Sequence, residues 1–278
     1  MNCNDLPAHL RTPVYIVDQT KLINNLKKLA RVSRESGCKI LLAQKAFSMF
    51  AVYPLIAQYL DGTTASSLNE ARLGHEFFGK ETHIFSPAYT PQEFDEILSL
   101  SDHIIFNSLA QWNYFAPRAL EAYKQCGLRV NPECSTQDQG IYDPCAPYSR
   151  LGITRRNLPD SGLPTGVSGL HFHTLCEQNS DALERTLESF ERYFREFIPG
   201  MQWLNWGGGH HITREDYNTA HLIELITHFQ KKYNLDIYLE PGEAVASDAG
   251  YLVATVVDIV DNQMSVAILD TSAACHMP

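Results

Sequence analysis

KILLAQKAFS, residues 39–48, joins a short apolar run, Ile40-Leu41-Leu42-Ala43, to a lone cation, Lys45. Four apolar residues between polar neighbours read as a buried strand. A charge at the tip of such a strand is costly unless something at that tip uses it. The same short apolar run recurs at 63–66, 82–85, 103–106, 128–131, 167–172, 202–206 and 237–239. Most gaps between these runs carry helical spacing, clearest in Leu183, Leu187, Phe190, Phe194 and Phe197, and again in Leu222, Leu225, Ile226 and Phe229. A strand at 14–17 precedes them, followed by a helical face of Leu22, Leu26 and Leu29. Residues 133–166, rich in Pro, Gly, Ser and Asp, read as loop.

Eight strands alternating with helices predict an α/β fold, a (β/α)8 TIM-like barrel over residues 18–243. A doubly wound open sheet also alternates, but it usually has fewer strands, and no G-x-G-x-x-G follows an early strand here. Past residue 243 the pattern turns to β. Runs at 251–259 and 264–269 meet at Asp261-Asn262, a turn signal. They read as the opening hairpin of an incomplete all-β domain drawn from residues 1–17 and 244–278.

Bulk properties narrow the function. With 44% hydrophobic and 19% charged residues the chain is ordinarily globular. A formal net charge of -10 disfavours nucleic acid and anionic membrane as partners and suits a cationic ligand, although solubility alone explains most acidic proteins. Seven cysteines with no C-x-x-C pair read as free thiols in a reducing compartment. The start, MNCNDLPAHLRTP, shows no signal-peptide pattern, and no apolar run is long enough to span a bilayer. These features predict a cytoplasmic protein.

The active site of such a barrel lies at the C-terminal strand ends. There stand Lys45, Glu70 (in SSLNE), His173 (in GLHFH), Gly207-Gly208-Gly209 (in NWGGGHH) and Glu240 (in YLEPGE). A lysine in a dry pocket loses its ammonium form and can make a Schiff base. Consecutive glycines present bare backbone N–H groups to a phosphate. A carboxylate can pair with a protonated pyridine nitrogen, and a histidine can stack on the ring. Together they describe a pyridoxal 5′-phosphate (PLP) site. Each residue also has a plainer reading: a snorkelling lysine, a glycine turn, a strand-ending Glu240-Pro241-Gly242 turn, a hydrogen-bonded core histidine. His171, His210 and His211 invite a metal, but adjacent histidines on a strand point opposite ways, and we expect none.

Lys45, GLHFHTLCE, WGGGHH, EPGEA and DTSAACHMP together resemble the fold-type III PLP-dependent decarboxylases, and among them the carboxynorspermidine/carboxyspermidine decarboxylase family, across essentially the whole chain. The resemblance implies that Lys45 holds PLP, that His173 stacks on its ring, that Gly207, Gly208 and Gly209, with Gly242 of the EPGEA stretch, bind the cofactor, and that Glu240 pairs with the pyridine nitrogen. It implies that Cys275 works in a neighbouring subunit's active site, hence a homodimer, and returns a proton to carbon after CO2 is lost. Alone, Cys275 would read as a small hydrophobe.

Departures from the family refine this. Related amino-acid decarboxylases carry EPGR, where this chain has Glu243. An acid beside a phosphate is repulsive, so Glu243 is expected to face the distal amines of a cationic polyamine substrate. Thr64 stands where some relatives have aspartate, and Cys176 where some have serine. Family members continue past CHMP with a tyrosine and an acidic residue that this sequence lacks, which predicts poor solubility and weak activity for the chain alone. The reading is decarboxylation of carboxynorspermidine or carboxyspermidine to norspermidine or spermidine. The alternatives are a catalytically silent PLP-binding or dimerising paralogue, and another fold-type III amino-acid decarboxylase.

Overall fold

The computed structural model describes residues 10–137 and 139–276. Cys3, the start read above for a leader, and the last two residues of DTSAACHMP lie outside them. Ile23–Ser247 forms one compact unit, and the flanking segments form another.

The elements run in order β1 (Val14–Val17), α1 (Gln19–Ser36), β2 (Lys39–Ala43), α2 (Tyr53–Ile56), β3 (Gly62–Ala65), α3 (Leu68–Phe77), β4 (Glu81–Phe85), α4 (Pro91–Leu100), β5 (His103–Phe106), α5 (Leu109–Glu121) and β6 (Gln125–Arg129). There follow β7 (Gly169–His171), α6 (Ser180–Phe194), β8 (Trp203–Asn205), α7 (Thr219–Tyr233), β9 (Asp236–Leu239) and α8 (Glu243–Ala246). The chain ends with β10 (Gly250–Val253), β11 (Val256–Asp261), β12 (Ser265–Leu269) and α9 (Ala273–His276).

Strands β2 to β9 are parallel and close into an eight-stranded barrel, β9 returning to β2 through Ile40↔Leu239. Buried on both faces, they read as continuous apolar runs rather than alternating ones. The helices bury single stripes. In α6 these are Leu183, Leu187, Phe190 and Phe194, each worth about 1.5–3 kcal/mol on burial. Between β6 and β7 the described chain is mostly loop, with the short 3-10 turns Gly140–Tyr142 and Arg155–Asn157 and one isolated parallel bridge, Val130↔Ile153, in keeping with its loop-like composition. The fifth strand of the barrel corrects the expected span 128–131. It runs Gln125–Arg129 because it pairs with β5 from His103↔Gln125 onward. Gly127 hides this: a Cβ there would lie 2.3 Å from the Trp203 ring.

Trp203 also covers Gly169, where a Cβ would come within 2.1 Å of the indole. The ring packs with Leu41, Ile105 and Tyr238 and fills the barrel interior. At the strand starts, Lys39 Nζ donates to Glu81 Oε1 (2.8 Å) and to the Tyr238 hydroxyl (2.9 Å), and the His83 and His103 rings stack at 3.8 Å. The interior is thus packed and polar-capped below the C-terminal strand ends.

In the smaller unit β1 pairs antiparallel with β10, and β11 with β12. The expected single run 251–259 is therefore two strands, because β10 and β11 take different partners. No helix among the described residues is long and apolar enough to cross a membrane. The six described cysteines are unpaired.

Candidate active site

Strand β2 ends at Ala43, whose N–H donates to Pro241 O (3.1 Å) in the turn after β9. That turn crosses close to β2: a Cβ on Gly242 would meet Ala46 Cβ at 2.5 Å. The chain then delivers Lys45 to a cavity lined by Thr64, Phe85, Arg129, His171, His173, Gly208 and Glu240. Residues from seven different strand ends or the loops after them so converge, as the parallel barrel requires.

Lys45 Nζ stands 3.5 Å from His173 Nε2. The Gly208 N–H donates to His173 Nδ1 (2.7 Å), so the neutral ring carries its proton on Nε2, facing Lys45. Lys45 retains open surface, yet its amine stands among protein atoms at the barrel mouth. This desolvation lowers its pKa against the pull of Glu240, and nearby Arg129 lowers it further. Burial, reinforced by Lys45 and Arg129, holds the His173 imidazole well below its ordinary value. The pair is arranged as a lysine whose ammonium form is disfavoured beside a neutral imidazole.

Glu240 is 7% exposed. Burial would raise its pKa, but the contacts with His171 and Asn205 reverse the sign and keep the carboxyl well below the usual range. Asn205 Nδ2 donates to Oε1 (2.8 Å), and His171 Nε2 lies 3.3 Å from Oε2.

The glycine loop corrects one expectation. Two of its three N–H groups are already spent, Gly207 N–H on Asn205 Oδ1 (2.9 Å) and Gly208 N–H on His173. The glycines are needed chiefly for space. A Cβ would lie 2.5 Å from Phe172 O at Gly207, 2.4 Å from Glu240 O at Gly208 and 2.0 Å from Leu175 O at Gly209. Gly207 and Gly209 also take positive φ, 69° and 82°.

Glu70 does not line the cavity. Its N–H donates to Ser67 Oγ and its Oε2 accepts from Ser66 N–H (2.7 Å), so it caps α3. Cys275 is exposed on α9 in the smaller unit. Glu243 is 55% exposed, 3.0 Å from His211 Nε2, and forms a tight group with His211 and Glu177. His171, His210 and His211 do not gather into one metal-like set; among the described residues the other such group is Glu81, His83 and His103.

The sequence reading missed Arg129. It is 4% exposed, its burial pushes the pKa down to about 10, and its guanidinium lies 4.4 Å from the Phe85 ring centroid. Its NH2 donates to His173 O (3.2 Å). The signal was an arginine inside the apolar stretch Leu128-Arg129-Val130. Beyond the inner cavity, a cleft bordered by Lys45, Tyr142, Asp143, Arg150 and His173 shares Tyr142 as a wall with one bordered by Cys176 and Glu177.

No protein-family profile matches the chain. A carboxynorspermidine/carboxyspermidine decarboxylase of Campylobacter jejuni is 46% identical over 269 residues, 97% of this chain and 70% of that protein. A carboxyaminopropylagmatine decarboxylase of Synechocystis is 38% identical over 98% of this chain and 70% of its own length. The crystal structure of carboxynorspermidine decarboxylase from Campylobacter jejuni, complexed with norspermidine, superposes with a TM-score of 0.90 at 44% identity, covering 97% of this chain and 70% of that one.

Proposed function

Since the chain belongs to the carboxynorspermidine/carboxyspermidine decarboxylase family, we propose that it decarboxylates carboxynorspermidine or carboxyspermidine to norspermidine or spermidine with PLP as cofactor. Membership of that family makes it a carboxy-lyase of polyamine biosynthesis. The observation that carries the cofactor is the meeting of Lys45, His173, Gly208 and Glu240 in one cavity. The residues fit the group: the Gly208 position has no room for a Cβ, and a buried anion, an amine and a neutral ring face the same space.

When bound, PLP accepts the electron pair left behind as CO2 departs. Lys45 supplies the amine that anchors it, since its ammonium form is disfavoured. His173, pinned by Gly208, offers a fixed flat face. Glu240 would hold a proton on the pyridine nitrogen. Gly207, Gly208, Gly209 and Gly242 would bind the phosphate end, with Gly208 on the cavity wall and the Gly209 N–H a free donor among the described bonds. Arg129 adds a buried positive charge on the cavity wall.

The cleft at Lys45 and the one at Glu177 share Tyr142 as a wall, and Glu177 stands beside Glu243 and His211. This would be the anionic wall for the cationic polyamine tail, in which Glu243 would bind substrate. Cys275, an exposed thiol, would donate the proton to carbon in a partner's site, which makes the working form a homodimer, and the unpaired cysteines fit a cytoplasmic setting.

The test is CO2 release and polyamine formation by PLP-treated protein, offered carboxynorspermidine, carboxyspermidine and diaminopimelate. Turnover of either carboxypolyamine over diaminopimelate is expected. Preference for diaminopimelate, or PLP binding without turnover of any of them, would overturn the proposal.

A further inference from the structure

His171 has no role in the chemistry above, yet it is among the most confined polar side chains in the molecule. It is 1% exposed and sits on the same cavity wall as Glu240. Its Nε2 lies 3.3 Å from Glu240 Oε2. Its Nδ1 is buried without a hydrogen-bond partner. A buried N–H without an acceptor is expensive, whereas a bare ring nitrogen lone pair is cheaper to leave. The proton therefore belongs on Nε2, where it is donated to the carboxylate. The ring is held in place: Phe85 stacks against it at 5.5 Å and 25°, and the Arg129 guanidinium in turn lies 4.4 Å from the Phe85 ring centroid. The other carboxylate oxygen is held by Asn205.

We infer that His171 is a positioning residue, a neutral N–H donor that fixes the orientation and the ionised state of Glu240. The inference rests on the proposed role of Glu240 for its catalytic consequence, but not for its structural one. Burial keeps the imidazole neutral, with the pKa pushed down, so it acts as a dipole and not as a second charge. The charged or titratable groups that also influence Glu240 are Lys45, Arg129, His83, His173 and His210, and all remain in the variants below.

The test uses His171→Phe, which keeps a flat ring but no donor, and His171→Gln, which keeps a donor. In the cofactor-free protein, the Glu240 carboxyl is titrated by infrared difference against Glu240→Gln. The Glu240 pKa should rise in His171→Phe and return most of the way in His171→Gln. In the PLP-loaded enzyme, His171→Phe should lower kcat at least about tenfold, the loss of one hydrogen bond to a charged group, with KM within about twofold. In a Glu240→Gln background the same substitution should change kcat by less than about twofold, because its target is gone. An unmoved Glu240 titration, or an undiminished effect in the Glu240→Gln background, would overturn the inference. A wild-type enzyme that loads PLP but decarboxylates nothing would defeat the proposed function and leave the infrared result to decide this one. If His171→Phe fails to fold, the titration of His171→Gln against Asn205→Ala decides: an unchanged Glu240 pKa in the former and a raised one in the latter supports the donor role, and equal elevation in both refutes it.

Discussion

Gly208→Ala puts the geometry of the site under direct test. A Cβ at this position lies 2.4 Å from the carbonyl oxygen of Glu240, where ordinary contact begins at 3.4 Å, and 3.3 Å from His173 Cε1. The backbone must therefore open by about 1 Å, and the flanking Gly207 and Gly209, held at positive φ, leave it little freedom to do so. The movement separates Gly208 N–H from His173 Nδ1, now 2.7 Å apart, and shifts Glu240. Overpacking of this kind costs about 1–3 kcal/mol. That lowers Tm by about 2–12 °C for a domain of this size. A displacement of about 1 Å in an active site lowers the rate about 100-fold. Decarboxylation kinetics and thermal melts of Gly208→Ala should thus show an enzyme far more damaged in kcat/KM than in stability. Gly250→Ala is the control, since its Cβ meets only Ile16 O, at 3.6 Å. Activity of Gly208→Ala within a few-fold of wild type would refute the tight packing of His173, Gly208 and Glu240.

Other outcomes follow from the same structure. Trp203→Ala empties the barrel interior over Gly127 and Gly169, and should cost about 3–5 kcal/mol in a denaturant melt. Glu177→Gln and Glu243→Gln should each raise KM for carboxynorspermidine about fivefold with kcat unchanged, an effect that shrinks in high salt. Glu81 is held down to about pKa 2, by His83 first among the lowering contacts and then by Lys39. A depressed carboxylate stabilises the fold above its unfolded pKa of about 4.5. Glu81→Gln should therefore melt below wild type at pH 7, and the gap should close as pH falls from about 4.5 toward about 2.

Much of this was legible because parallel barrel strands announce themselves as short apolar runs and carry their chemistry at one end. Lys45, His173 and Glu240 could each be placed by that rule alone, and the structure brings them into one cavity. What escaped depended on partners distant in sequence. Gly127 makes β6 look weak, and only the Trp203 ring explains it. His171 was weighed as a metal ligand, whereas its partner is Glu240, 69 residues away. Arg129 stands inside the apolar stretch Leu128-Arg129-Val130, but the Phe85 ring and the His173 carbonyl that it meets lie 44 residues away on either side. Glu70 goes the other way: Ser67-x-x-Glu70 is a local helix-capping pattern whose proximity to a strand end made it look like part of the site.

The measurement that bears most directly on the central claim is the visible absorption spectrum of the protein after incubation with PLP and removal of the excess, beside Lys45→Ala. The account predicts a visible band in the first sample that borohydride abolishes while fixing the cofactor to Lys45, and no such band in the second. An identical band in folded Lys45→Ala, or cofactor fixed to a different lysine, would contradict it.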